Sequence, residues 1–141
     1  MLLTLIFTVL QLVLLTGCKT KSKNLYGNWA IIELVHDNQE IFPVYDKKFI
    51  PAPTLTIGTN KSIIIDLHQG DKSYGDFKHY FDNEVEVVKI FNMKDQRFNG
   101  TYQLSIELSV GTKTSNYKEF EMILESDSIY IRAIKSVVRL L

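Results

Sequence analysis

The stretch TYQLSIELSV, residues 101–110, alternates apolar and polar side chains along its whole length. Residues two apart lie on the same side of a β-strand, so the apolar positions share one face and the polar positions share the other. The apolar positions are Tyr102, Leu104, Ile106, Leu108 and Val110. The stretch therefore predicts a strand with one buried face and one solvated face.

The segments that follow repeat this alternation. YKEFEMILE (residues 117–125) places Phe120 and Met122 on one face and glutamates on the other, and SIYIRAI (residues 128–134) comes next. GTKTSN (residues 111–116) is typical of a hairpin loop, and ESDS (residues 125–128) is typical of a tighter turn. The C-terminal third is therefore predicted to be an antiparallel meander.

Earlier parts of the chain contain further segments of strand character. They are LYGNWAIIELVH (25–36), PTLTIG (53–58), KSIIIDL (61–67) and EVEVVKIF (84–91). In the last of these the apolar positions change parity between Val87 and Val88, which predicts a β-bulge. About eight or nine short strands at even spacing predict a barrel or a sandwich, and a meander favours the barrel. We therefore expect an all-β fold, an antiparallel up-and-down meander closed into a small barrel of about eight strands.

The N-terminal segment has a different character. Its first 17 residues contain no charged side chain and are rich in Leu, Ile, Val and Phe. A membrane-spanning helix needs about 20 apolar residues, whereas the apolar core of a secretion signal needs only about 7 to 15. Cys18, the single cysteine of the chain, follows directly and is succeeded by the polar, lysine-rich run KTKSKN. This arrangement favours an export signal over a permanent membrane span.

The four residues at this junction, Leu15, Thr16, Gly17 and Cys18, resemble the lipobox of bacterial lipoproteins. The resemblance implies that the Cys18 thiol receives diacylglycerol and that the signal is cut just before Cys18. It divides the chain into a signal peptide (1–17), a lipidated cysteine with a flexible basic tether (18–24) and a β-domain (25–141). The expected location is the bacterial cell envelope, at the outer membrane or the periplasmic face of a membrane, with the acyl chains as the membrane contact.

A second resemblance concerns the start of the β-domain. LYGNW (residues 25–29) resembles the Gly-x-Trp opening of the lipocalin family, with Gly27 and Trp29 at the matching positions. The resemblance implies a lipocalin-like barrel whose floor is closed by Trp29. It also implies that an arginine of the last strand packs over the Trp29 ring, and Arg132 is the residue that we expect there.

Catalysis and metal binding find no support in the sequence. His36, His68 and His79 are not spaced as metal ligands, and we find no nucleophile elbow, phosphate-binding loop or paired-cysteine motif. The 16 basic and 16 acidic side chains cancel, which excludes the strongly basic charge typical of nucleic-acid binding. We expect no enzyme activity, no cofactor and no nucleic-acid partner.

Two functions remain open at this stage. In the first, which we favour, the inward side chains form a cup for a small hydrophobic ligand; the candidate positions are Tyr102, Leu104, Ile106, Phe120 and Met122. In the second, the same side chains fill the barrel and the protein binds another envelope protein, as an inhibitor of, or immunity factor against, an envelope-attacking enzyme. Aromatic residues within 42–49 and 74–81 would then form the contact surface, although core positions are the first interpretation for those in 74–81.

Overall fold

The computed structural model describes residues 23–41, 52–67, 72–109 and 117–138. The lipobox residues 15–18, the aromatic segment 42–49 and the loop 111–116 lie outside these described residues. Within the described residues, no helix has the length and apolar character needed to cross a membrane.

The described residues form nine β-strands and two short 3₁₀ helices. The strands are β1 (Gly27–His36), β2 (Gln39–Glu40), β3 (Thr54–Ile57), β4 (Ser62–Asp66), β5 (Lys72–Asp82), β6 (Val85–Phe91), β7 (Gly100–Ser109), β8 (Tyr117–Glu125) and β9 (Ile129–Val138). The 3₁₀ helices are Lys23–Leu25, before β1, and Gln96–Phe98, between β6 and β7.

The strands pair in chain order, and the last strand returns to the first. Each of β3 to β9 is antiparallel to its neighbour, and β9 also pairs with β1, which closes the sheet. The short β2 is an additional strand paired with the end of β1. The result is a closed eight-stranded antiparallel barrel with one extra strand, which confirms the predicted up-and-down fold.

The alternation seen in the sequence sets the inner and outer faces of this barrel. Along β9, for example, Ile129, Ile131 and Ala133 are buried, and Tyr130 and Arg132 between them are more exposed. The buried apolar side chains contributed by the barrel strands form one continuous core. Burial of this inner face is the main source of stability for such a barrel.

The predicted bulge in β6 is wrong. Strand β6 keeps a regular register with both β5 and β7, and the irregularity lies instead in β1, between Ile31 and Glu33. The apolar residue that suggested a bulge is Val87, which is buried although it lies on the outer face opposite Tyr80. Val87 is therefore an apolar residue that is buried on the outer face, and the alternation of inward and outward side chains along β6 continues without a shift.

Antiparallel strands place their connections alternately at the two ends of the barrel. We call the end where β1 begins the floor end; the β3–β4 turn (58–61) and the β5–β6 turn (83–84) lie there as well. We call the opposite end the mouth end; it holds the segment 92–99 between β6 and β7 and the β8–β9 turn (126–128). The two ends differ in how they are closed.

Candidate functional site

Trp29 closes the floor end from the inside. Its side chain is fully buried, and its Nε1 donates a hydrogen bond of 2.8 Å to the carbonyl oxygen of Leu25. This bond links the tryptophan to the 3₁₀ helix that precedes β1. The predicted role of Trp29 at the barrel floor agrees with this placement, and Gly27 between the two takes a φ of 116°, a conformation that favours glycine.

The cation over the Trp29 ring is Lys135. Its Nζ lies 4.3 Å from the ring centroid and also donates hydrogen bonds to the carbonyl oxygens of Asn24 and, at 2.9 Å, of Tyr26. Burial lowers the pKa of Lys135 below its ordinary value. The carbonyls and the ring supply the negative potential that a partly desolvated ammonium group needs.

The expectation that Arg132 packs over Trp29 is wrong. Arg132 lies on the outer face of β9, where its Nε donates a 2.7 Å hydrogen bond to Glu121 and its guanidinium is 4.0 Å from Glu33. The hydrogen bond with Glu121 raises the pKa of Arg132. The physical reason is that side chains two residues apart on a strand point to the same face. Ala133 is buried and faces inward, so the next inward position on β9 is Lys135, and Arg132 faces outward.

The five candidate ligand-binding residues do share the inner wall of β7 and β8. Tyr102, Leu104 and Met122 are 1%, 7% and 0% exposed, and Ile106 and Phe120 are half-buried against the same core. Ile106 pairs directly with Met122 across the two strands. The described side chains thus fill the middle of the barrel rather than line an open cup.

The mouth end is closed by the segment 92–99, which we call the mouth segment. Its Met93 and Phe98 are buried in the barrel core. The hydroxyl of Tyr102 donates a 2.8 Å hydrogen bond to the carbonyl of Phe98, and the amide of Met93 donates a 2.9 Å bond to the side-chain oxygen of Asn99. Burial raises the pKa of Tyr102 well above its ordinary value.

Glycine at position 75 makes room for the mouth segment. A Cβ added to Gly75 would lie 2.3 Å from the sulfur of Met93 and 2.9 Å from the carbonyl oxygen of Phe91. Met93 and Phe98 could not be identified from the sequence, because the mouth segment has no alternation that marks them as inward-facing.

A groove of about 450 Å³ lies beside the mouth segment. Its lining includes the apolar side chain of Leu67 and the polar side chains of Lys72, Gln96 and Arg97. Arg97 forms a two-pronged hydrogen-bonded pair with Asp95, and this pair raises the pKa of Arg97 and lowers that of Asp95. The groove is therefore lined by both apolar and polar side chains, and the positive charge of Arg97 is balanced by Asp95.

The aromatic segment within 74–81 is part of strand β5 and divides between the two faces. Phe77 is buried in the core, whereas Tyr74 is 55% exposed, and Tyr80 and Phe81 are half-buried. The prediction of a core role is confirmed for Phe77 and is wrong for Tyr74.

A buried hydrogen-bonded pair of polar side chains near the floor end was missed. His79 Nε2 lies 2.6 Å from Glu86 Oε1, and the two side chains are only 5% and 16% exposed. The sequence contains a signal for this pair, since His79 alternates in step with inward-facing Phe77 on β5 and Glu86 alternates in step with inward-facing Val88 on β6.

In the described part of the chain, His, Cys, Asp and Glu residues form no cluster of three that could hold a metal ion.

Comparison of the chain with models of known protein families, with curated proteins and with solved structures gives no match. The fold and the placement of the residues above define the protein as a small closed antiparallel β-barrel.

Proposed function

We propose that the protein is a lipid-anchored protein of the bacterial cell envelope whose lipocalin-like barrel binds a small hydrophobic ligand. The observation that carries the proposal is the difference between the two ends of the barrel. Trp29 and Lys135 close the floor end through the first and last strands, whereas the mouth end is closed by Met93 and Phe98 of a segment outside the strands. A ligand enters at the mouth end and takes the place of these two side chains.

The chemistry of the inner wall supports an apolar ligand. The hydrocarbon and thioether groups of Leu104, Met122 and Leu124 belong to the same buried core as Met93 and Phe98. Methionine adapts its shape to different partners, since it is unbranched and has a polarizable sulfur. Replacement of one set of apolar contacts by another offsets part of the free-energy cost of opening the mouth segment.

Native mass spectrometry of the chain from residue 19 onward, after incubation with bacterial membrane lipids, tests ligand binding. We expect an added mass of a few hundred daltons that is lost on denaturation. Leu104→Lys should abolish it, whereas Ile32→Lys, at an exposed position of β1, should not. Detection of the ligand-free mass alone would contradict the proposal.

The anchor rests on the lipobox resemblance of Leu15 to Cys18 and is tested separately. Cys18→Ser should prevent acylation and leave unprocessed precursor, whereas Thr20→Ser two residues later should leave processing unchanged. Membrane fractionation and intact mass of the two variants measure this difference. Normal processing of the Cys18→Ser variant would remove the anchor from the proposal.

The filled barrel favours a second candidate, a lipoprotein that binds an envelope protein as an inhibitor or immunity factor. Tyr102 and Met122 are fully buried, as a solid core requires, and Tyr74 is exposed on the outer face next to Ile64 of β4. Tyrosine is enriched in protein contact surfaces. Capture of an envelope protein by the wild-type chain but not by Tyr74→Ser, without any bound ligand, would favour this candidate.

A further inference from the structure

The chain enters the barrel at the floor end, and this limits how the barrel sits on a membrane. Lys23, the first described residue, begins the 3₁₀ helix that covers Trp29. Four residues separate Cys18 from Lys23, so the two Cα atoms are five steps along the chain from each other and lie at most about 18 Å apart even when the chain is fully extended. An acylated Cys18 therefore holds the floor end close to the bilayer surface.

Among the described residues five large apolar side chains are exposed, and three of them lie at this same end, whereas Ile32 and Tyr74 lie apart from it. Tyr26, Val85 and Leu108 are 41%, 42% and 53% exposed; Tyr26 directly precedes β1, Val85 begins β6, and Leu108 lies at the end of β7. All three positions lie at the floor end, because β6 begins and β7 finishes where β1 begins. We call these three side chains the apolar rim. Half-buried Ile106 and Phe120 extend it toward the barrel core.

The charges at the floor end do not select an anionic surface. Lys61 and Lys135 lie there together with exposed Asp82, Glu84 and Glu107. Because positively and negatively charged side chains are mixed at this end, the apolar rim is the feature that fits a bilayer. Tyrosine, as at position 26, is favoured at the boundary between lipid and water.

We propose that the floor end docks on the bilayer that holds Cys18, with Tyr26, Val85 and Leu108 in the interfacial layer and the mouth end directed away from the membrane. This inference rests on the proposed lipid anchor and goes beyond it, because a tether of this length also permits the barrel to lie on its side. It means that a ligand reaches the mouth segment from the aqueous compartment or from another protein, rather than from the bilayer to which the protein is attached.

The test uses the full chain purified from membranes and placed in nanodiscs of phosphatidylcholine that contain a lipid with a gadolinium-chelating headgroup. Methyl NMR signals are broadened by gadolinium according to their distance from it. We expect the signals of Val85 and Leu108 to broaden several-fold more than that of Leu67 at the mouth end. Equal broadening at the two ends, or stronger broadening of Leu67, would overturn the proposal.

Two variants separate apolar docking from simple tethering. Val85→Ser combined with Leu108→Ser should reduce the difference between the two ends, as measured by the broadening of Ile57 near the floor end against Leu67. Ile32→Ser removes an equally exposed apolar side chain from the middle of β1 and should leave the difference unchanged. An unchanged difference in the double variant would overturn the role of the apolar rim.

The intact mass of the same sample keeps the two proposals apart. An unmodified Cys18 would refute the natural anchor. The docking inference would then be tested after coupling Cys18 to a maleimide lipid in the same nanodiscs, with the same NMR criterion. Loss of ligand binding in native mass spectrometry would concern the mouth end and leave this result unaffected.

Discussion

The ammonium group of Lys135 lies 4.3 Å from the ring centroid of Trp29 and joins the last strand of the barrel to the first. The same group donates hydrogen bonds to the carbonyls of Asn24 and Tyr26, so it also holds the chain segment that enters the barrel. The side chain of Lys135 thus links three features: the junction of the first and last strands, the barrel floor at Trp29, and the chain segment that precedes β1. Loss of this group should therefore affect the whole domain.

Lys135→Ala should lower the free energy of unfolding by about 1 to 2 kcal/mol, because it removes a cation–π contact and two hydrogen bonds. Lys135→Arg should cost less, because it keeps a cation with several donors. Urea unfolding followed by the fluorescence of Trp29, the single tryptophan, measures both changes.

Arg132→Ala provides the matched control for this prediction. Arg132 is partly exposed and paired with Glu121 on the outer face, so its loss should cost less than about 1 kcal/mol. A larger loss of stability for Arg132→Ala than for Lys135→Ala would contradict the assignment of Lys135 to the floor.

The barrel could be predicted from the sequence because its strands have one buried, apolar face and one solvent-exposed, polar face. The alternation in residues 101–110 and 117–125 corresponds directly to the inner and outer faces of β7 and β8. The same alternation, followed from Ala133, leads to Lys135 and excludes Arg132 from the floor. The family resemblance suggested an arginine, and the period of the strand was the better guide.

Tyr102 should make the stability of the protein sensitive to alkaline pH. Burial raises the pKa of its phenol above the ordinary value of 10.0. Above pH 10 the unfolded chain loses this proton while the folded chain keeps it, so the free energy of unfolding falls as the pH rises, by at most about 1.4 kcal/mol per pH unit. Urea unfolding between pH 9 and 11 measures this slope.

Tyr102→Phe should remove that part of the slope and cost about 1 kcal/mol at neutral pH, since the hydrogen bond to Phe98 is lost. Lys135 is present in both proteins, so its titration cancels in the comparison. Tyr130→Phe is the parallel variant. Burial also raises the pKa of Tyr130, but its side chain is only half-buried, so this variant should change the slope less. An identical alkaline slope in the wild type and Tyr102→Phe would contradict the prediction.

Gly75→Ala should destabilise the barrel by about 1 to 3 kcal/mol, because the added methyl group overlaps the sulfur of Met93 and the carbonyl oxygen of Phe91. Gly100→Ala is the matched control, since its Cβ would meet only the Tyr102 ring at an ordinary 3.5 Å. Thermal unfolding followed by circular dichroism compares the two. Equal melting temperatures for the two variants would show that Met93 does not pack on β5 as described.

The occupied interior could not be predicted from the sequence, although the five inward positions were placed correctly. Occupation depends on Met93 and Phe98, which lie in a segment without strand periodicity. The amide of Met93 donates a hydrogen bond to Asn99, and the carbonyl of Phe98 accepts one from Tyr102. Such bonds depend on the relative position of strands and loop in three dimensions. A pattern of apolar residues identifies the wall of a barrel but not what fills it.

His79 and Glu86 should be coupled in stability, because their side chains approach to 2.6 Å and are largely buried. In a double-mutant cycle of His79→Ala and Glu86→Ala, measured by urea unfolding at pH 7, we expect an interaction energy of about 1 to 3 kcal/mol. His36 and Asp37 supply the comparison, since they lie 3.4 Å apart and are considerably more exposed. The same cycle on that pair should give less than about 0.5 kcal/mol, because water competes for both groups. An interaction energy for His79 and Glu86 no larger than that of the exposed pair would mean that their buried contact contributes nothing to holding β5 and β6 together.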